Sequence, residues 1–340
     1  MSDIIYVATA ADENYARGLL VMLATLLKSN KELEVQELSI IILDGGLSND
    51  TKNKINLLPN KLTSTYKVKF SYIIPNLDSL DEVPKLWGKS NLTLARLQIA
   101  ELVPETDYIY WIDSDFIINL PLPSFNILDG NMLAASIEPH LPTLEQDFVE
   151  IEYPFGNRED VSKPYFNAGF MLINLQKWRD ENFGNRAIKA MCENPQSFTW
   201  LDQSAINFFA VDKITILPRN YNYNLHGVKA NEYLKENWIQ CNLHLTGELK
   251  PWAINSFQAF FYFQHLLFLC LENLLFQTNN SKELNYLKDI SYTKSIKWKI
   301  KMIFSALFNK NYYLKKKAYL HEKLKINSYL TQITATYLSK

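Results

Sequence analysis

Short apolar runs alternate with amphipathic ones along the first two-thirds of the chain. Ile4–Ala10 is apolar and bounded by polar residues, which predicts a strand. Over Tyr15–Lys28 the positions Leu19, Met22, Leu23, Leu26 and Leu27 recur at helical spacing, which predicts a helix with one buried face. Leu38–Leu43 predicts a second strand, closed by Asp44-Gly45-Gly46, and Ser48 is placed to cap a helix over residues 49–58. Val68–Ile74 predicts a third strand stopped by Pro75, Leu92–Leu102 a helix that ends before Pro104, and Tyr108–Ile112 a fourth strand. Later strands are predicted at Met132–Ile137, Ala168–Asn174 and Lys213–Leu217, and helices at Leu175–Cys192 and Leu201–Phe209. This alternation predicts an α/β fold with a mostly parallel central sheet and helices on both faces.

The fourth strand runs into Asp113-Ser114-Asp115. Side chains alternate along a strand, so both carboxylates can project to one side while Ser114 points away. Two hard oxygen ligands at the carboxyl end of a buried strand suit a divalent cation that also holds a phosphate. By residue type alone the same step also reads as a polar exit from the sheet. Farther on, Asn242–Trp252 contains His244, Gly247, Lys250 and Trp252. A neutral imidazole would complete an Asp/Asp/His metal set, Gly247 permits close backbone approach, and Lys250 could neutralise a phosphate. There is no G-x-G-x-x-G after the first strand and no G-x-x-x-x-G-K, so neither a dinucleotide fingerprint nor a P-loop is present.

Charge is distributed unevenly. Residues 282–325 hold 12 Lys against Glu283, Asp289 and Glu322; residues 1–281 carry a net −11, although the whole chain is at −1. Nucleic acid is therefore not expected as a partner of the acidic N-terminal part, and an anionic surface is expected for the basic tail. There Ile296, Ile300, Ile303 and Leu307 form an apolar stripe beside Lys294, Lys297 and Lys301, the pattern of a helix lying on a membrane surface. Phe257–Phe276 is about as long as a membrane span but contains Gln258, Gln264, His265, Glu272 and Asn273, which predicts a buried or interfacial helix instead. Cys192, Cys241 and Cys270 show no paired spacing, and Met1-Ser2-Asp3 lacks the basic start of a secretory signal. Both point to a cytoplasmic protein, and the basic tail to one peripheral on the inner face of the cell membrane.

The pattern H-x-x-G-x-x-K-P-W downstream of an apolar D-x-D resembles the family-8 glycosyltransferases, and within them bacterial lipo-oligosaccharide and lipopolysaccharide galactosyl- or glucosyltransferases. The resemblance extends over residues 4–252 and includes Ala10-Ala11-Asp12-Glu13-Asn14-Tyr15, Leu94-Ala95-Arg96, Tyr165-Phe166-Asn167-Ala168-Gly169 and Asp202-Gln203. It implies a retaining enzyme of the GT-A fold that uses a UDP-sugar, UDP-glucose or UDP-galactose, with Mn²⁺, or Mg²⁺ as the alternative. Residues 1–255 would form the catalytic domain and 256–340 a helical, basic extension.

The resemblance also implies roles. Ala10, Asp12 and Asn14 would hold uracil and ribose, with Ser114 also against the ribose. Asp113, Asp115 and His244 would bind the metal that bridges the two phosphates, which Gly247 and Lys250 would contact. Arg96, Asn167, Ala168, Asp202 and Gln203 would line the donor sugar, with Gln203 beneath the anomeric carbon and Asp202 orienting hydroxyls. One position departs from the family pattern: Glu138 stands after the Met132–Ile137 strand where an Asp is expected, extending the carboxylate by one methylene. The acceptor would be a saccharide or glycolipid. Two other classes fit the same residues: a sugar-nucleotide-binding protein without transferase activity, and another metal-dependent nucleotide enzyme.

Overall fold

A computed structural model describes residues 4–62, 65–78, 83, 91–140, 143–144, 162–225, 240–247, 250–252, 268, 271–272 and 275–276. The basic tail, with its Ile296–Leu307 stripe, lies outside the described residues, as does most of Phe257–Phe276. The chain divides into two compact units, Met1–Asn224 with Gln240–His244, and Leu225–Ile239 with Leu245–Lys340. Among the described residues, no helix is long and apolar enough to cross a membrane.

The first unit is built on seven strands: β1 (Ile4–Ala11), β2 (Glu37–Asp44), β3 (Lys67–Ile73), β4 (Tyr108–Ile112), β6 (Leu133–Ile137), β7 (Phe166–Asn174) and β8 (Ile214–Ile216), in the spatial order β3-β2-β1-β4-β7-β6-β8. Six of them run one way. Only β7 is reversed, antiparallel to β4 on one side and to β6 on the other. Strands buried on both faces are mostly apolar, and β7, buried from Phe166 to Asn174, is polar only at Asn167 and Asn174 near its two ends. Along the sheet Ala8, Ile41, Trp111, Ala135 and Met171 belong to one core cluster with residues of the 91–102 and 175–210 segments. Their neighbours Val7, Ile40, Tyr110 and Phe170 are buried as well, so both faces are covered.

Three two-residue strands, β5 (Phe116–Ile117), β9 (Tyr223–Asn224) and β10 (Leu243–His244), form a second sheet in the order β5-β10-β9. Its β5 begins directly after Asp115, and the register sets His244 opposite Phe116 and beside Asn224. This small sheet carries a residue from the far end of the unit back to the exit of β4.

Two helical segments differ from the sequence expectation. Residues 91–98 form a 3₁₀ helix before a short α-helix at Ile99–Leu102. Within it the Arg96 Nε–H donates to the Thr93 carbonyl oxygen at 3.1 Å. The helix expected over Leu175–Cys192 is two helices, Leu175–Asp180 and Phe183–Glu193. Asn182, between them, has φ 48°, a left-handed conformation that Asn tolerates better than most residues. Ser48 caps the helix Asn49–Asn56 as its side chain suggests, accepting from Thr51 N–H.

Candidate functional site

The sheet directions gather the candidate residues at one edge. The carboxyl ends of β1, β4 and β6 lie there, and so does the start of reversed β7, because Ile112 pairs with Phe170 and Ile137 with Phe166. Ala10 and Asp12, Asp113 to Asp115, Glu138, and Asn167 with Ala168 therefore share that edge. The chain reaches β2 on one side of β1 and β4 on the other, the arrangement whose crevice binds ligands in open α/β sheets.

Asp113, Asp115 and His244 each offer a ligand atom, and these atoms lie within 4.8 Å of one another. His244 Nε2 is 3.3 Å from Asp115 Oδ1 and 3.9 Å from Asp113 Oδ2. Two carboxylates and an imidazole converging at such distances fit a divalent cation such as Mn²⁺ or Mg²⁺. The imidazole is held on several sides. Phe116 stacks on it at 4.2 Å between centroids, and Gly169 lies so close that a Cβ there would meet His244 Cε1 at 2.3 Å. Gly169 is thus a close-approach glycine, which its place in a strand did not reveal.

Arg96 is a buried ion-pair partner, not a surface one. Its Nη2 is 3.1 Å from Asp113 Oδ1, its Nε lies 2.6 Å from Asp202 Oδ2, and its Nη1–H donates to the Ala168 carbonyl oxygen at 2.8 Å. The guanidinium also lies over the Trp111 ring at 5.0 Å, and Trp111 Nε1–H donates to Asp113 Oδ1 at 2.8 Å. Burial works against the Arg96 charge, but Asp113 and Asp202 hold its pKa above the ordinary arginine value. Burial pushes the Asp202 carboxyl upward, and Arg96 pulls it back without cancelling the rise. One guanidinium therefore joins a proposed metal ligand to the Asp202-Gln203 pair. Gln203 Oε1 accepts from Ala168 N–H at 3.1 Å, so the two motifs meet at β7.

Glu138 is buried, and both its oxygens have protein partners. Oε2 accepts from Asn167 Nδ2 at 2.7 Å; Oε1 accepts from His140 N–H at 3.2 Å, with Asn224 Nδ2 at 3.5 Å. This carboxylate sits in an asparagine network that sequence reasoning missed. Asn222 and Asn224 gave no signal because their partners are distant in sequence.

At the end of β1 the contacts are local. Asp12 caps the short 3₁₀ helix Glu13–Tyr15, accepting from Tyr15 N–H, and Asn14 Nδ2 donates back to Asp12 Oδ2 at 3.2 Å. Ser114, between the aspartates in sequence, is buried. Gly247 and Lys250 belong to the second unit. Gly247 has φ 107°, and the buried Lys250 donates from Nζ to the Leu245 carbonyl oxygen at 3.2 Å.

The chain is 26% identical over 259 residues to a lipopolysaccharide 1,3-galactosyltransferase of Salmonella typhimurium, covering 72% of each chain. It is equally similar, over the same length and coverage, to the lipopolysaccharide glucosyltransferase WaaO of Escherichia coli. Its fold matches a crystal structure of the galactosyltransferase LgtC in complex with donor and acceptor sugar analogs: TM-score 0.60 at 19% identity, covering 82% of this chain and 98% of the other. That likeness makes the mostly parallel α/β architecture the GT-A fold. The model of glycosyl transferase family 8 matches residues 6–256, and the chain belongs to that family.

Proposed function

We propose that this glycosyltransferase moves a hexose, glucose or galactose, from a UDP-sugar to a saccharide or glycolipid acceptor, with retention and an α-configured product. The observation that carries the reading is the convergence of Asp113, Asp115 and His244 from two distant motifs at the carboxyl end of β4. The names of the two lipopolysaccharide transferases support the hexose and the acceptor class.

In this reading Asp113, Asp115 and His244 hold Mn²⁺, or Mg²⁺ in its place. When bound, the cation supplies Lewis-acid stabilisation of the diphosphate leaving group. Lys250 and Gly247 meet the same diphosphate, Lys250 as a fixed positive charge that opposes the developing negative one. Ala10, Asp12 and Asn14 receive uracil and ribose, and Ser114 faces the ribose. Asp202 orients donor hydroxyls, and Arg96, Glu138, Asn167 and Ala168 shape the sugar pocket.

The C1–O bond to the β-phosphate breaks as the acceptor oxygen bonds to C1 on the same face, and the acceptor proton passes to the departing phosphate. Gln203 stabilises the oxocarbenium-like carbon from beneath, since a carboxamide is a poor nucleophile. Residues 1–255 form the transferase region, a reading supported by the family match ending at residue 256. The basic residues 282–325 attach the protein to the anionic inner face of the cytoplasmic membrane. The test is a screen of UDP-sugars with Mn²⁺, reading UDP release and identifying the product linkage by NMR. Turnover of UDP-glucose or UDP-galactose to an α-glycoside is expected. UDP binding without turnover for any donor and acceptor would contradict transferase function.

A further inference from the structure

A buried chain of four polar side chains runs from Glu138 to the proposed metal ligand His244. We propose that Asn222 is a positioning residue that fixes His244 as its Nδ1–H tautomer, so that the Nε2 lone pair faces Asp113 and Asp115. This rests on the metal role proposed above for His244 but concerns Asn222, which has no role there.

The direction of the chain follows from donor and acceptor chemistry. A backbone N–H only donates, and Gly169 N–H lies 2.9 Å from Asn167 Oδ1, so that atom is the amide oxygen. Asn167 Nδ2 then faces the other way and donates to Glu138 Oε2 at 2.7 Å, an atom that accepts. Asn167 Oδ1 takes a second hydrogen bond from Asn222 Nδ2 at 2.7 Å. That leaves Asn222 Oδ1 toward the imidazole, 3.0 Å from His244 Nδ1. An amide oxygen only accepts, so Nδ1 must carry the proton. Turning the Asn222 amide over would set its oxygen against Asn167 Oδ1 in a buried place, where an unpaired polar group costs roughly 1–3 kcal/mol. Asn222 is itself 2% exposed, so water does not compete for its amide. With Nδ1 protonated, the Nε2 that lies 3.3 Å from Asp115 Oδ1 presents a lone pair to a cation between them.

The experiment is long-range ¹H–¹⁵N correlation NMR of the metal-free protein at a pH where imidazoles are neutral, with His244 assigned by His244→Gln. The wild type is expected to show the Nδ1–H form. Asn222→Leu removes the acceptor and is expected to shift His244 toward the Nε2–H form, with Mn²⁺ affinity by EPR titration falling about 10- to 100-fold. Asn222→Asp keeps an acceptor toward Nδ1 but sets its second oxygen against Asn167 Oδ1, so it is expected to lose stability in urea yet retain the wild-type tautomer, which separates positioning from a general folding defect. An Nε2–H wild type, or an Asn222→Leu protein that keeps both the Nδ1–H form and its Mn²⁺ affinity, would overturn the proposal. The tautomer is read without metal, so a wild type that shows the Nδ1–H form yet binds no Mn²⁺ sinks the metal reading alone.

Discussion

The two ends of the candidate site are built differently. Where β4 leaves the sheet, Asp113 and Asp115 meet Arg96 and His244, from elsewhere in the chain, with Asn222 behind His244, as well as the nearby Trp111. Where β1 leaves it, Asp12 bonds to Tyr15 and Asn14, its immediate neighbours. A ligand atom fixed by long-range contacts keeps its position only while the whole unit is folded. A locally capped one holds its geometry with little help. Under the proposed function, the β4 end would perform the charge-bearing chemistry, which tolerates little misplacement, while the β1 end would receive a flat base.

The largest expected effect lies at the β4 end. Asp115→Ala should lower metal-dependent turnover by about a thousandfold while leaving the urea midpoint close to wild type, because the ligand contributes to the transition state more than to the fold. A variant within tenfold of wild-type rate would remove Asp115 from the metal set. Next comes Arg96→Ala, which strands Asp113 and the buried Asp202 without their shared cation. Breaking a buried ion pair by removing one partner costs about 3–5 kcal/mol, measurable by equilibrium urea unfolding. A loss below 1 kcal/mol would mean that this cation contributes no more than a surface one.

At the β1 end the expected effects are smaller. Asp12→Ala loses an N-cap and should cost about 1 kcal/mol of stability, together with weaker UDP binding by calorimetry. Stability loss without any change in UDP affinity would leave Asp12 as a cap alone. The smallest effect concerns pH. Burial alone would raise the Asp44 carboxyl, but Lys52 at 2.5 Å and the N–H groups of Leu47 and Gly46 hold it below the usual carboxylate range. A carboxylate lowered by folding stabilises above its unfolded pKa, about 3.9, and that stability is lost as pH falls through the folded value. The urea midpoint should therefore drop on the acid side, and Asp44→Asn should flatten that part of the profile. An unchanged acid limb in the variant would contradict the assignment.

Much of the fold could be read from periodicity. Strands β1 to β4, the Ala16–Ser29 helix and the Ser48 cap follow from apolar spacing and one side-chain acceptor. The reversal of β7 could not be read, because a mainly apolar run records burial and not direction. Strands β5, β9 and β10 are two residues each, too short for a period of two to register. The 3₁₀ segment 91–98 escaped because Leu94 and Leu97, three apart, suit either helix. At the site, Asp113, Asp115 and His244 were legible as residue types that bind metals. Arg96 was legible as a charge but not as a buried one. Asn222 and Asn224 were not legible, since an asparagine near a turn has many ordinary uses and only the folded chain aligns it with His244 and Glu138.

The central claim is that Asp113, Asp115 and His244 hold the cation on which transfer depends. UDP release from UDP-glucose or UDP-galactose with acceptor, measured after EDTA treatment and again after adding back Mn²⁺, tests it most directly. The rate is predicted to fall to background in EDTA and to return with Mn²⁺ in the wild type but not in Asp115→Ala. A full wild-type rate in EDTA would contradict it.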